Sequence, residues 1–290
     1  MKLSITIALM IICIVTVQYS IVQVKKEKRI TTHKADDYHT CWAPDGKSIL
    51  FTSRRSGQAG IWKINWPEGN PVAVETGLKG DHHFSWSPDG LEIVFDANFE
   101  DGPPGIWIIS ATGGIPRRIE AAGSPSFQPR WSPDGGSIAF CSLQSGHCDI
   151  WILSVQEGKV MQLTNNEATD HHPCWTPDGQ EIVFSSDRNG NFDIWKVQVS
   201  GGDPVCIWDG PENDDHPVCS PGGQSLVFIA KNSTESVLWL LPLESRIKIL
   251  LVRGTGISWP SWSPDGKMIG YSAQDESGNI DIYVIESPSR

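Results

Sequence analysis

The segment WSPDGGSIAF at residues 131–140 is one copy of a motif that recurs along the chain. Each copy begins with a leader residue, usually Trp, followed by a Pro-Asp-Gly turn (Pro-Gly-Gly at residues 221–223 of the fifth copy) and an apolar strand. The leaders are Trp42, Trp86, Trp131, Trp175, Cys219 and Trp262. Successive leaders are 44, 45, 44, 44 and 43 residues apart, so the chain consists of six units of nearly constant length.

Two aromatic positions extend the motif. The first lies nine residues after each leader, at Phe51, Phe95, Phe140, Phe184, Phe228 and Tyr271. The second follows 11 or 12 residues later, at Trp62, Trp107, Trp151, Trp195, Trp239 and Tyr283. Changes in length concentrate between the two aromatics, as expected of an exposed hairpin tip. Four short strands in about 44 residues are typical of a β-propeller blade.

The two ends of the chain complement each other. The sixth unit ends soon after Tyr283 and lacks a fourth strand, whereas Arg29-Ile30-Thr31-Thr32 precedes Trp42 with the spacing of a fourth strand. We therefore expect residues 29–33 to complete the last blade and close the ring. The predicted fold is all-β: a six-bladed β-propeller of four-stranded antiparallel blades over residues 29–290.

Composition and missing motifs restrict the function. The chain has 290 residues and a formal net charge of −11, which repels nucleic-acid phosphates, so no nucleic-acid partner is predicted. The sequence contains neither a Gly-x-Ser-x-Gly nucleophile motif nor a glycine-rich phosphate loop. Serine peptidase and nucleotide-dependent activities are therefore not expected, and no cofactor is predicted.

The amino-terminal 24 residues have a different character from the repeats. An apolar-dominated run from Leu3 to Val24 follows Lys2 and ends at a basic cluster. This pattern predicts a signal peptide or an N-terminal membrane anchor at residues 1–24. The basic cluster slightly outweighs the charge before the run, which opposes export by the positive-inside rule. Export is still the prediction, giving a periplasmic or membrane-anchored extracytoplasmic protein.

One position of the repeat is rich in imidazoles. The residues three before each leader are His39, His83, Gln128, His172, His216 and Trp259. This position falls on the innermost strand, which lines the channel of a propeller, and strand parity places Asp81 and Asp170, two residues earlier, on the same face. Duplication of one ancestral histidine explains the pattern without a site. A channel mouth that binds a protein or glycan is the second interpretation.

A metal site is the third interpretation of these residues. Four imidazoles at one level of a channel, from His39, His83, His172 and His216, would suit a divalent transition metal. Separately, Cys141 and Cys148 flank one hairpin tip closely enough to form a disulfide, which an exported protein permits.

The Trp-Ser-Pro-Asp-Gly turns, the apolar strands ending in Phe and the Asp-Ile-Trp strands at residues 149–151 and 193–195 together resemble the TolB-type WD40-like β-propeller family. The resemblance covers residues 29–290, the propeller portion of that family. It implies an envelope-associated module that binds other proteins on its propeller face. The predicted function is therefore a non-enzymatic scaffold that binds proteins. The histidine-rich position also resembles the channel of oligogalacturonate lyase, which uses a His/Gln-held metal. A metal-dependent polysaccharide lyase or hydrolase is therefore the alternative.

Overall fold

The computed structural model describes residues 20–21, 27–78, 80, 83–98 and 102–288. These residues form six sheets, one for each sequence unit, and the predicted six-bladed β-propeller is confirmed. Within the described ranges the helical content is a single 3₁₀ turn at Glu120–Ala122. The fold therefore rests on strand pairing and on the packing of one blade against the next.

The strands are numbered β1 to β25 in chain order. Two short strands, β1 (Ser20–Ile21) and β2 (Glu27–Arg29), precede the blades. Blade 1 contains β3 (Asp37–Trp42), β4 (Ser48–Ser53), β5 (Gly60–Asn65) and β6 (Val72–Ala73). Blade 2 contains β7 (Phe84–Trp86), β8 (Glu92–Asn98), β9 (Pro104–Ser110) and β10 (Arg117–Arg118). Blade 3 contains β11 (Ser126–Trp131), β12 (Ser137–Ser142), β13 (Asp149–Ser154) and β14 (Val160–Gln162).

The remaining blades follow the same order, from the innermost strand outward. Blade 4 contains β15 (Asp170–Trp175), β16 (Glu181–Ser186), β17 (Asp193–Gln198) and β18 (Val205–Trp208). Blade 5 contains β19 (Asn213–Cys219), β20 (Ser225–Lys231), β21 (Ser236–Pro242) and β22 (Ile249–Gly254). Blade 6 contains β23 (Ser258–Trp262), β24 (Met268–Gln274) and β25 (Ile280–Glu286).

The repeated aromatics form the core between blades. The aromatic nine residues after each leader is fully buried in all six blades, and its exposed fraction is 0% at Phe51 and Tyr271 alike. Two of the leader indoles also donate a hydrogen bond to the preceding blade. Trp175 Nε1 donates to the carbonyl of Arg130 in blade 3 at 3.0 Å, and Trp262 Nε1 donates to that of Val218 in blade 5 at 3.2 Å.

Strand β2 closes the ring, as the sequence predicts. It pairs antiparallel with β25, with Arg29 opposite Tyr283. The chain continues this edge through a hydrogen bond from Ile30 N to Ile282 O at 2.7 Å. The guanidinium of Arg29 pairs with Asp281, whose other oxygen accepts a bond from Thr31 Oγ1 at 3.0 Å. The paired strand begins at residue 27, two residues before the predicted start.

The predicted leader at residues 1–24 lies outside the described residues, except for Ser20 and Ile21. These two form β1, which pairs in parallel with β22 at the outer edge of blade 5. Across residues 20–21, 27–78, 80, 83–98 and 102–288, no helix combines the length and apolarity needed to cross a membrane.

Candidate functional site at the propeller axis

The innermost strands share a backbone irregularity at the histidine-rich position. A bulge interrupts the pairing of β3, β11, β15, β19 and β23 with the next strand of each blade. The residues there have φ angles between 52° and 59°, at His39, Gln128, His172, His216 and Trp259. This left-handed conformation costs a residue with a Cβ about 1–2 kcal/mol. The bulge redirects each side chain, and the sheets hold the strain.

Trp259 from blade 6 lies at the centre of the imidazoles. Its ring centroid is 4.2 Å from that of His216, 4.6 Å from His39, 4.7 Å from His83 and 5.0 Å from His172. These imidazoles come from blades 5, 1, 2 and 4, so the indole contacts most of the ring. We call these five residues the axial cluster. The structure brings these five residues together, and the indole of Trp259 occupies the axis at this level.

Gln128, the predicted member from blade 3, has a different role. Its Oε1 accepts hydrogen bonds from the backbone N of His172 and from the thiol of Cys141, both at 3.0 Å. The backbone N of Gln128 in turn donates to Asp96 in blade 2 at 2.8 Å. Gln128 therefore connects the inner strands of blades 2, 3 and 4, whereas the axial cluster forms the ring contacts.

Two carboxylates absent from the predicted set hold the imidazoles. Asp96 accepts from His83 Nδ1 at 2.6 Å, and Asp215 accepts from His172 Nδ1 at 2.7 Å. Asp215 also accepts the backbone N–H of His216 at 2.8 Å. One sequence signal was available, since Asp215 directly precedes an axial histidine. The pairing of Asp96 with His83 depends on the hairpin of blade 2.

Of the two predicted acidic residues, the structure describes only Asp170. Asp170 is buried within blade 4 and pairs with Arg188 Nη2 at 2.8 Å, apart from the axial cluster. The left-handed backbone at His172 breaks the two-residue alternation of the strand, so Asp170 and His172 face different surroundings. Asp81 lies outside the described residues.

Burial sets the charge state of the cluster. It lowers the pKa of His171 and of His216, and it lowers the pKa of His172 well below its ordinary value. Burial alone would raise the pKa of Asp215, but its contacts with His172 and His216 hold that pKa well below the usual range. Near neutral pH, His171, His172 and His216 are therefore neutral beside the anionic carboxylate of Asp215.

A group able to hold a metal ion lies beside the axial cluster. His171, His172 and Asp215 each offer one ligand atom, and these atoms lie within 4.8 Å of one another. We call these residues the mouth triad. His171 Nε2 is 3.4 Å from Asp215 Oδ1, and the His171 side chain is 18% exposed. The triad shares only His172 with the predicted metal set of His39, His83, His172 and His216.

Cys141 and Cys148 are free thiols in this structure. Cys141 donates to Gln128 Oε1 at 3.0 Å, and Cys148 donates to the carbonyl of Asp170 at 3.3 Å. Their disulfide stays a prediction.

Comparison with known proteins identifies relatives of this chain. A family model described as the TolB beta propeller domain matches residues 83–290. A solved protein assigned as TolB from Agrobacterium tumefaciens is 26% identical, with a TM-score of 0.75 over 90% of this chain and 93% of its own. No curated protein sequence matches the chain.

Two further solved structures share the fold at lower identity. TolB from Acinetobacter baumannii is 18% identical with a TM-score of 0.68, and the match covers 91% of this chain but 58% of that protein. An oligogalacturonate lyase in complex with manganese is 14% identical with a TM-score of 0.64, over 91% of this chain and 93% of its own. At these identities the likeness concerns the fold alone.

Proposed function

This chain belongs to the TolB β-propeller domain family, and we propose that it is a non-enzymatic module that binds a protein partner at the mouth of the propeller axis. The proposed location is the cell envelope or the extracytoplasmic space, reached through residues 1–24 as a signal peptide or membrane anchor. The match to TolB from Acinetobacter baumannii covers only 58% of that protein. A role of the whole TolB protein is therefore carried over to this chain only as part of the proposal.

The filled axis is the observation that carries the proposal. Trp259 lies within 5.0 Å of four imidazole centroids, so an indole occupies the axis at this level. The left-handed residues of the axial cluster hold their side chains there at a conformational cost. Rigid blades around the mouth can each supply a weak contact to the same partner. Several such contacts together suit the binding of part of a protein.

Charge indicates which kind of protein surface fits. The chain carries a net charge of −11, and Asp215 is an anionic carboxylate whose side chain is 13% exposed at the mouth. The imidazoles beside it are neutral, and the indole of Trp259 adds an aromatic face. A basic segment of a partner, with Arg or Lys entering beside Asp215, has the complementary charge. We therefore expect binding to weaken as salt is added.

Site-specific photo-crosslinking tests this proposal. A photoreactive amino acid at position 171 is expected to capture a defined partner, and the same group at position 134, in the blade 3 leader turn, serves as the control. The captured partner is then purified, and its Kd is measured for the wild type and for a His171→Gln, Asp215→Asn variant. Loss of affinity in the variant supports the proposal. Equal capture at both positions, or an unchanged Kd, rejects it.

The mouth triad favours a second candidate function. Two imidazoles and a carboxylate form a donor set that suits Zn²⁺ or Mn²⁺, and their neutral and anionic states leave lone pairs available near neutral pH. A metal held there would support a polysaccharide lyase or hydrolase. Titration calorimetry with Mn²⁺ and Zn²⁺, followed by an assay on oligogalacturonate, separates the two functions. Tight binding lost in Asp215→Asn, together with product formation, would favour the enzyme.

A further inference from the structure

The leader Trp of blade 4 occupies a well-defined apolar site at the junction with blade 3. Trp175 belongs to one buried cluster with Ala139, Ile152 and Leu163 of blade 3 and with Ile182 of its own blade. Its indole Nε1 donates to the carbonyl of Arg130 at 3.0 Å. The junction therefore offers aliphatic walls for the ring and one carbonyl for the N–H.

The junction between blades 4 and 5 has residues at the same wall positions but no leader indole, and Lys196 there replaces the aliphatic Ile152. Adding the 44-residue step to those positions gives Cys219 for the leader and Val183, Lys196, Ile207 and Leu226 for the walls. All five residues line one cavity of about 510 Å³. The cavity thus occupies the place that an indole fills one junction earlier in the ring.

Cysteine at the leader position explains this space. The backbone N of Cys219 donates to the Sγ of Cys174 at 3.4 Å, so Cys219 stays against the inner strand of blade 4. The residue equivalent to Arg130 is Cys174, and no leader indole reaches its carbonyl because residue 219 is not Trp. Val205 and Leu243 extend the apolar wall, and Arg246 lies at the rim with one Nη2 bond to Ile207 O at 3.2 Å.

We propose that this blade 4–5 pocket binds a small planar aromatic molecule with an N–H donor, of the indole class. The apolar part of the wall suits an aromatic guest, although the ion pair of Lys196 and Glu181 also lines the cavity. The cavity volume lies in the range of small-molecule sites. The guest's ring would pack where the leader ring packs at the preceding junction, and its N–H would point to the carbonyl of Cys174. The site is distinct from the axial cluster and does not depend on the proposed function.

Fluorine NMR with 5-fluoroindole tests the assignment directly. The wild type is expected to shift and broaden the fluorine signal with a Kd of about 0.1–1 mM, as suits a small ligand. Competition by indole should release the probe. 1-Methylindole, which lacks the N–H, should compete about 3- to 10-fold less well, because it cannot donate the hydrogen bond.

Substitution at the leader position provides the matched variants. Cys219→Trp should fill the pocket, abolish probe binding and raise the Tm. Cys219→Phe serves the same purpose if the larger side chain prevents folding. Trp175→Cys should open the equivalent cavity between blades 3 and 4, lower the Tm and bind a second probe molecule.

Three outcomes would overturn the assignment. The first is the absence of a fluorine shift at millimolar probe with wild-type protein. The second is unchanged binding in a folded Cys219→Trp or Cys219→Phe variant. The third is much tighter binding of a Trp-containing peptide than of indole, which would assign the pocket to a protein segment. None of these outcomes bears on the axial cluster, so the two proposals fail separately.

Discussion

Blades 4 and 5 share a backbone and differ in the side chains that hold it. In blade 4 the buried Asp170 pairs with Arg188 at 2.8 Å. In blade 5 the equivalent residues are Asp214 and Asn232, and neither carboxylate oxygen of Asp214 accepts a hydrogen bond within the described residues. Burial raises the pKa of Asp214 to about 8. The same strand pairing therefore encloses a paired carboxylate in one blade and an unpaired one in the next.

The two blades nevertheless keep a cation over the second aromatic. Arg188 lies 4.6 Å from the ring centroid of Trp195 in blade 4. In blade 5, Lys248 approaches from a different loop and lies 4.3 Å from the centroid of Trp239. Lys248 is buried, and its charge lowers the pKa of Asp214 by less than burial raises it. The second aromatic therefore has a cation over its ring in both blades, although the cation comes from different loops. The buried carboxylate, by contrast, has an arginine partner only in blade 4.

Breaking the blade 4 pair should have the largest effect. Arg188→Met leaves Asp170 buried with Asn166 as its remaining side-chain partner, so the free energy of unfolding should fall by about 3–5 kcal/mol. Urea denaturation at pH 7 measures this loss. Asn232→Met in blade 5 is the matched control and should change stability far less. Equal losses in the two variants would contradict the comparison.

Removing the unpaired charge of blade 5 should stabilise the protein at high pH. Because the pKa of Asp214 is about 8 in the folded state, against an ordinary 3.8, the folded state binds the proton more tightly. The stability that protonated Asp214 contributes to the folded state is therefore fully present below about pH 4, and it is lost as the pH rises through about 8. Asp214→Asn should raise the free energy of unfolding by about 2–5 kcal/mol at pH 8 and change it little near pH 4.

The measurement is urea denaturation of wild type and Asp214→Asn across this pH range, with Asp170→Asn as the control. Asp170→Asn removes a paired carboxylate and should destabilise the protein at pH 8. A parallel pH dependence of wild type and Asp214→Asn would show that Asp214 is not the titrating group.

Giving blade 5 the arginine of blade 4 should sharpen the comparison with a smaller gain. Asn232→Arg places a guanidinium at the repeat position from which Arg188 reaches Asp170. We expect a gain of about 1–2 kcal/mol at pH 8 and a weaker dependence of stability on pH, because the carboxylate of Asp214 gains a charged partner. Carbon-13 NMR of the Asp214 carboxyl should show its pKa falling. A pKa that stays near 8 would mean that the geometry of the pair differs between the blades.

The leader turns give the smallest predicted effect. In blade 4 the hydroxyl of Thr176 donates to Asp178 at 2.6 Å, and this bond lowers the pKa of Asp178. In blade 5 the corresponding residues are Ser220 and Gly222. Gly222→Asp should restore the turn and raise the free energy of unfolding by less than about 1 kcal/mol. Thermal unfolding of Gly222→Asp and of the reverse change, Asp178→Gly, measures the two effects on Tm. A lower Tm in Gly222→Asp would contradict the prediction.

Most of the fold follows from the spacing of the repeat. The leaders and the two aromatics predict the blade number, the strands of each blade and the seam formed by Arg29, because these depend on local turn chemistry and burial. The start of the seam strand differs by two residues, since pairing to β25 continues through Glu27 and Lys28. Such boundaries depend on the partner strand and are weakly encoded by the local sequence.

The position of the axial cluster was predictable from the sequence, but the hydrogen-bond partners of its residues were not. Repeat spacing brings His39, His83, His172, His216 and Trp259 to the axis, and the structure places them together. At all of these residues except His83, a bulge redirects the side chain. This bulge depends on backbone conformation in the folded sheet, so simple strand parity assigns Asp170 to the wrong surroundings. The pair of Asp170 with Arg188 does have a signal in the sequence, because the Asp and the Arg are 18 residues apart. The pair of Asp37 with Arg55 in blade 1 has the same separation.

The seam at β2 has a consequence for how the protein forms. Arg29 and Asp281, which pair across it, are 252 positions apart in the chain. During synthesis β2 has no partner until β25 has been made, and the outer edge of β25 stays unpaired until β2 reaches it. Contacts of such long range are slow to form. Circularisation should therefore be the last and rate-limiting event of assembly, and a circular permutant joining the two termini should close faster.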